Sequence, residues 1–368
     1  MVRKMTKVAI IYDDIYLEHR PEELDPTHPE RKERLICTMD IIKKEKLIER
    51  GIVDVVKPRM ANEEEILRVH DKKYFESLKD LDKVGGYVDP DTPAPRGFLK
   101  CALFSAGGAI VAGELVVEGE YSRAFALIRP PGHHAGPNRG AGFCYVNNIA
   151  IMIEHIRSKW NVKKVAIIDW DAHFGDGTYD IYSSDPNILY ISIHQDPSTA
   201  YPGRGFIHEI GEGEAKGTKV CIPVPPGTSD NEYMMIFNEV IEPIIHWFKP
   251  DFIAISAGQD CHFSDPITEL GVTARGCGEM MRRSVEIAKR VCNGKVAVVL
   301  EGGYSVNAGL PYANLAVILA LAELDISHVV EPNEVYEKYG WKRRDNSTKV
   351  SRIIKKVKEM ISNYIELS

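Results

Sequence analysis

Glutamine occurs only twice in this chain of 368 residues, at Gln195 and Gln259, and none of its seven cysteines is spaced C-x-x-C. The odd number and the missing C-x-x-C argue against a fully paired disulfide framework, a zinc ribbon or a dithiol redox motif. Reduced thiols in a cytoplasmic enzyme are expected. Scarce glutamine amid abundant Lys and Glu is a thermophile-like composition. Positive charge is in deficit: 46 Lys and Arg stand against 53 Asp and Glu, a net charge of -7. With no broad cationic field, neither nucleic acid nor an anionic membrane surface is an expected partner. Long apolar runs are missing as well. The longest, Ala308–Leu324, is broken by Pro311, Asn314 and Glu323 and reads as a buried helix, not a membrane span. The basic start Arg3–Lys7 precedes only Val8–Tyr12 before Asp13 and Asp14, too little for a secretion signal.

What is present is a regular alternation. Strand-like runs recur at Lys7–Tyr12, Val53–Val56, Arg123–Ile128, Lys163–Ile168, Ile188–Ile193, Val220–Val224, Asp251–Ser256 and Lys295–Leu300. Helical patterns separate most of them. Arg31–Arg50 ends at Gly51, a C-cap residue, and Asn62 before Glu63, Glu64 and Glu65 is an N-cap opening a helix to about Leu81. Leu99–Val117 carries Gly107 and Gly108 and should pack closely on the sheet. Asn148–Lys159, Asp230–Phe248, Ala274–Cys292 and Asn307–Leu324 complete the set. The expectation is a single-domain α/β fold over residues 1–368: a mainly parallel eight-stranded sheet with helices on both faces. The core would span about 7–324, with a C-terminal helical extension over 325–368. In that extension Val350, Ile353, Ile354, Val357 and Ile361 fall on one helical face, which docks on the body and leaves a solvated lysine face; the basic Lys342–Arg344 precedes it.

The stretch Asp169–Gly177, D-W-D-A-H-F-G-D-G, follows one of the buried strands. If the backbone stays extended past Ile168, Asp169, Asp171 and His173 face one spot, and two carboxylates with an imidazole suit a divalent ion such as zinc. The plainer reading is that strand-end acids cap the next helix. Other strand ends are equally unusual. Arg129–Gly136 reads R-P-P-G-H-H-A-G, Ala257–His262 reads A-G-Q-D-C-H, and Glu301–Tyr304 reads E-G-G-Y. Each alone is a turn, a cap or a packed pair. Their joint placement at the carboxyl ends of parallel strands, where open α/β sheets build their sites, is what those readings do not supply.

The strings RPPGHHA at Arg129–Ala135, GFCYVNN at Gly142–Asn148, DWDAHFGDG, SAGQDCHFSDP at Ser256–Pro266 and EGGY resemble the zinc-dependent histone deacetylase, acetoin-utilisation and acetylpolyamine amidohydrolase superfamily, from about His28 to Leu324. The resemblance implies that Asp171, His173 and Asp260 hold one zinc. It implies that His134 is the general base, that His133 adds electrostatic stabilisation, and that Asp169 pairs with His133 and Asp176 with His134. Tyr304 would donate to the oxyanion, and Phe143 and Tyr201 would wall a narrow tunnel beside Gly142. Arg34 would sit by an internal pocket for released acetate. A potassium site would use Asp169, Ser192 and Ile193. The implied substrate is an acylated amine. Apolar Ile267 at the rim, with Glu269 two residues on, favours acetyl-lysine in protein or peptide over acetylpolyamine, while Asp89 and Asp91 in a second rim loop offer acceptors for substrate N–H groups or a distant amine.

Departures and rivals remain on the page. Gln259 would lie near the rim or only fill space; His262 is not expected to touch the metal, and Cys144 and Cys261 read as buried small residues. A binuclear ureohydrolase such as arginase shares D-A-H but needs an acid where this chain has Gly175. A non-catalytic acyl-ligand binder would lack part of the catalytic set, and none is missing. Whether like chains assemble into a homo-oligomer is open.

Overall fold

The structure, a computed structural model, describes residues 7–365; Arg3 and Lys4 of the basic start lie outside them. The strands are β1 (Val8–Ile11), β2 (Val53–Val56), a two-residue pair β3 (Gly86–Tyr87) and β4 (Pro93–Ala94), then β5 (Arg123–Ala126), β6 (Val165–Asp169), β7 (Ile188–Gln195), β8 (Lys219–Val224), β9 (Phe252–Ala257) and β10 (Val296–Leu300). The helices are α1 (Glu33–Lys44), α2 (Glu63–Leu67), α3 (Lys72–Val84), α4 (Phe98–Val117), α5 (Asn148–Lys159), α6 (Asp176–Tyr182), α7 (Asp230–Ile236), α8 (Glu242–Phe248), α9 (Ala274–Val291), α10 (Gly309–Leu321), α11 (Asn333–Tyr339) and α12 (Ser347–Ile361).

All eight expected strands join one sheet in the order β2-β1-β5-β10-β9-β6-β7-β8. Every pairing in it is parallel. From β1 through β8 its strands are buried at every position except on the edge strand β2, so both faces are covered, as parallel sheets require. Chain order scatters β5, β6, β9 and β10, yet they are four consecutive neighbours at the middle of the sheet. Their carboxyl ends carry the four unusual stretches, which is why those stretches meet.

α4 packs as its glycines demand. A Cβ on Gly108 would meet the Tyr16 hydroxyl at 2.3 Å and Ile128 at 2.9 Å, and one on Gly107 would meet the Arg59 carbonyl at 1.8 Å. By length and hydropathy Phe98–Val117 would also serve as a membrane span, which Ala308–Leu324 would not, but 61% of its most apolar window is buried inside the protein.

Three helices depart from the periodicity. α1 stops at Lys44, because Lys46 turns to φ 53° and the chain coils to Gly51. The Asn62 helix opens with the expected cap, completed by Glu65 as a capping box, but breaks before Lys72. There His70 turns inward and the Asp71 N–H bonds to Pro137. Asp230–Phe248 contains a π-helical turn at Phe237–Ile241 just before Pro243, whose missing N–H breaks the ladder. In the extension, α12 buries Val350, Ile354, Val357 and Ile361 in the main core and keeps Lys355 and Lys356 outward, while Ile353 is only half-buried. Lys342, in the basic run before that helix, is buried.

Candidate active site

β6 delivers Asp169 at its last position and the chain then leaves the sheet. The extended alternation therefore fails at its first member. Asp169 turns to Tyr190 (2.9 Å) and His133 (3.1 Å), while Asp171 and His173 meet Asp260 from the end of β9. His173 Nδ1 lies 3.2 Å from Asp171 Oδ1 and 3.0 Å from Asp260 Oδ2. The remaining oxygens are already fixed: Asp171 Oδ2 accepts the Gly302 N–H at 2.8 Å and Asp260 Oδ1 accepts the Ala172 N–H at 2.8 Å. Only glycine fits against this pair, since a Cβ on Gly258 would meet Asp171 at 2.0 Å and one on Gly302 would meet Asp260 at 2.3 Å.

This donor set fits a divalent metal. One atom from each of the three residues lies within 4.8 Å of the others. Two buried carboxylates so placed repel unless a cation joins them. Burial and Asp171 push the Asp260 acid up to about 6; burial opposes the charged form of His173, but hydrogen bonds to the two carboxylates outweigh it and raise the imidazole to about 10. Two carboxylate oxygens and one imidazole nitrogen from three residues suit a divalent ion and leave positions open on it.

β5 runs into the two histidines. Their rings are 4.1 Å apart, and each Nδ1 has its own carboxylate: His133 faces Asp169 at 3.1 Å and His134 faces Asp176 at 2.7 Å. Their electrostatics diverge. Burial works against a charged His133, but Asp171 and Asp169 overcome it and hold its pKa well above the ordinary imidazole value. Burial and the neighbouring His133 push His134 down to about 4, against the pull of Asp176. The two adjacent rings are thus pushed in opposite directions, and Asp176 engages His134 through Nδ1 and leaves Nε2 free of it.

Above these groups opens a cavity of about 260 Å³ lined by His133, His134, Asp171, His173, Tyr304, Gly142, Phe143, Tyr201, Asp91 and Ile267. Phe143 stands edge-on to Tyr304 at 5.7 Å and Tyr201 edge-on to His134 at 5.0 Å. The Gly142-Phe143 corner takes φ 53° and 69°, and a Cβ on Gly142 would strike the His134 ring at 2.4 Å.

Residues 28–321 match the histone deacetylase domain. This chain belongs to the histone deacetylase family. It is 48% identical over 357 residues to a probable deacetylase of Archaeoglobus fulgidus, covering 97% of this chain and 98% of that one. It is 34% identical to a histone deacetylase-like amidohydrolase of Pseudomonas aeruginosa over 86% of this chain and 84% of the relative. The crystal structure of the HDA15 HD domain superposes with a TM-score of 0.84 at 29% identity, covering 97% of this chain and 96% of that one. The fold is the deacetylase fold, and the chain is a hydrolase acting on amide bonds.

Not every expected residue lines the deacetylase cavity. Arg34 is fully buried behind Tyr304, its guanidinium 5.0 Å from that ring, donating to Gly303 O (2.7 Å), Glu30 (3.0 Å) and Glu301 O. Ser192 is the register partner of Asp169 across β6 and β7, but its hydroxyl is engaged by His194 at 2.8 Å. Gln259 lies away from the rim: it is buried and donates to Asn314 of α10 at 3.1 Å. His262 contacts Glu331 and Ser264, and Cys144 and Cys261 are buried thiols. Asp89 neighbours Asp91 but does not line the cavity, and Glu269 donates its N–H to Gln195.

Three site residues carried no sequence signal of their own role. Arg139 clamps Asp176 and, at 2.9 Å, Asp180. Tyr190 fixes Asp169. Glu301 accepts the N–H groups of Gly132 (2.8 Å) and His133 (3.1 Å), which ties the tip of β10 to the histidine loop.

Proposed function

We propose that this deacetylase-family hydrolase removes the acetyl or acyl group from an acylated amine, most readily acetyl-lysine in protein or peptide, with acetylpolyamine as the alternative. The observation that carries the reading is the convergence, at one cavity, of the Asp171, His173 and Asp260 cluster with two adjacent histidines, each backed by its own carboxylate. When bound by Asp171, His173 and Asp260, zinc supplies a Lewis acid for the amide carbonyl and an acidified water.

The chain's own groups do the rest. His134 takes the proton of the attacking water on Nε2 and returns it to the departing amine; Asp176 fixes its tautomer through Nδ1. His133 places positive charge beside the reacting carbon. Tyr304 donates its hydroxyl to the oxygen on which charge develops, an interaction worth about 3–4 kcal/mol. Phe143 and Tyr201 hold the methylene stem between their faces and exclude water from it. The acylated side chain fits a channel of this size. Potassium beside Asp169, Ser192 and Ile193, acetate release past Arg34, and a reducing cytoplasmic setting for the seven free thiols belong to the same proposal and rest on family resemblance and composition.

The test is hydrolysis of an acetyl-lysine peptide beside acetylspermidine by the zinc-loaded chain, with Tyr304→Phe and His134→Ala as controls. Faster turnover of the peptide, lost in both variants, is expected. Preference for acetylspermidine would keep the mechanism and change the substrate. No turnover of either, nor of longer acyl amides, would leave only the binding reading.

A further inference from the structure

Lys342, on the extension beyond the stretch that matches the family domain, is 8% exposed. Its Nζ donates to the backbone oxygens of Asp265 and, at 2.9 Å, Thr268. Glu331, on the same extension, is 2% exposed. One of its oxygens lies 2.7 Å from His262 Nε2 and accepts the Ala274 N–H at 2.6 Å; the other accepts the Tyr336 hydroxyl at 2.6 Å. Burial alone would disfavour this carboxylate, but its hydrogen bond to His262 and the other donors keep its acid down at about 2.

Both groups hold the loop that follows Asp260. Within it, Asp265 Oδ2 accepts the N–H of Tyr304 at 2.8 Å and Oδ1 that of Ile267 at 3.0 Å. A second route runs from His262 Nδ1 to Ser264 Oγ (2.9 Å) and on to Ser305 Oγ (2.6 Å), the residue after Tyr304. Phe263 is stacked between His262 at 4.5 Å and Tyr336 at 4.9 Å, in a small apolar cluster with Ala308 and Val335. An ammonium and a carboxylate are costly to bury unless paired: both bonds of Lys342 go to this loop, and Glu331 ties the loop's His262 to the start of α9 at Ala274 and to Tyr336 of the extension.

We propose that the extension acts as a clamp that sets the position of Tyr304, with Lys342 and Glu331 as positioning residues acting through Asp265 and through His262, Ser264 and Ser305. The proposal rests on the amide-hydrolysis reading for its kinetic test only.

The test compares Lys342→Met and Glu331→Gln in the full zinc-loaded chain, alone and combined with Tyr304→Phe, on an acetyl-lysine peptide. Each single variant is expected to lower kcat about tenfold with KM changed less than about twofold, as for a displaced catalytic group. In the Tyr304→Phe background the same substitutions should change kcat less than about twofold, because the donor they position is gone. Losses that multiply in the double variants, or an unchanged kcat in a folded single variant, overturn the clamp. Hydrogen exchange gives a second readout. The amides of Ile267 and Tyr304 should exchange faster in Lys342→Met than in the wild type, with α1 unaffected; equal exchange overturns the proposal. Where Lys342→Met fails to fold, Glu331→Gln and Tyr336→Phe, which each remove one bond, carry the same comparison. A wild type without turnover on any acylated amine sinks the hydrolysis reading, and the exchange comparison then decides the clamp by itself.

Discussion

His134 Nδ1 lies 2.7 Å from Asp176 Oδ1, and the second oxygen of that carboxylate is taken by Arg139. Asp176 therefore cannot swing away from the ring, and the ring keeps its proton on Nδ1 and its lone pair on Nε2. Asp176→Asn offers an amide that donates as readily as it accepts and no longer selects that tautomer. It is expected to lower kcat by about 10²- to 10⁴-fold, with KM little changed. Arg139→Met, which only loosens the carboxylate, is expected to cost about tenfold to a hundredfold. Steady-state kinetics on an acetyl-lysine peptide decide it; a loss below about threefold in Asp176→Asn removes this pair from the reaction.

Asp171 and Asp260 are brought to one point, with His173 Nδ1 3.2 Å from the first and 3.0 Å from the second, so two buried like charges face each other there. Zinc at about a hundredfold excess over its Kd should add about 2.7 kcal/mol to the unfolding free energy. Asp260→Asn should abolish most of that gain. In a chelator the same variant should be at least as stable as the wild type, since one of two facing carboxylates is gone. Urea unfolding with zinc and with chelator measures both effects. A wild type whose stability ignores zinc would show that these three residues bind no such ion.

The sequence made the sheet legible because each strand is a short β-branched run buried on both faces, and it made the site legible because the motif residues sit at the ends of strands that turn out to be neighbours. The resemblance also carried the distant pairs Asp169–His133 and Asp176–His134, but pairings outside the family motifs were not legible. Nothing near Arg139 says that it clamps Asp176, and nothing near His262 says that it meets Glu331. Lys342 reads only as one base of the run Lys342-Arg343-Arg344, because a composition rule cannot see the carbonyl oxygens of Asp265 and Thr268 that it bonds. Gln259 leaves two readings open from sequence, a rim residue or a space filler, because neighbouring motif positions face the cavity; its buried side chain takes the second place, turned to Asn314. The helix that breaks at His70 was illegible for the same reason: its partners, Gly136 and Asn147, lie far along the chain.

Asp91 lines the cavity mouth, and burial with the adjoining Asp89 pushes its acid up to about 6. It is an anion at neutral pH and becomes neutral as the pH falls through that value. A substrate N–H bonded to the charged form would gain about 1.5–3 kcal/mol. Asp91→Asn is thus expected to raise KM for an acetyl-lysine peptide about tenfold to a hundredfold at pH 8 with kcat nearly unchanged, the pattern of lost uniform binding. The wild-type KM should rise below pH 6 and that of the variant should not. An unaltered KM in Asp91→Asn would place substrate recognition elsewhere on the rim.

His70 is built to stay neutral. Its Nδ1 lies 2.9 Å from the Gly136 oxygen, to which it donates, and its Nε2 accepts the Asn147 N–H at 2.9 Å, so no position is left for a second proton. Burial lowers its pKa to about 4. His194 is also enclosed, with Nε2 2.8 Å from Gly205 O and Nδ1 2.8 Å from the Ser192 hydroxyl, and burial lowers it to about 4 as well. In the unfolded chain a histidine titrates near about 6.5. Between about 6.5 and 4 the unfolded state binds the proton and the native state does not, so the stability contributed by the neutral ring is complete above about 6.5 and is lost as the pH falls, at about 1.4 kcal/mol per pH unit for each ring. From pH 7.5 to 5.0 each histidine should cost about 2 kcal/mol by this route. His70→Gln is expected to be less stable than the wild type at pH 7.5, because the paired ring is lost, but to lose about 2 kcal/mol less on going to pH 5.0. Urea midpoints and slopes at the two pH values give the comparison. Equal losses in the two proteins would mean that His70 takes up a proton in the folded state, and that the break between α2 and α3 is not held by the neutral ring.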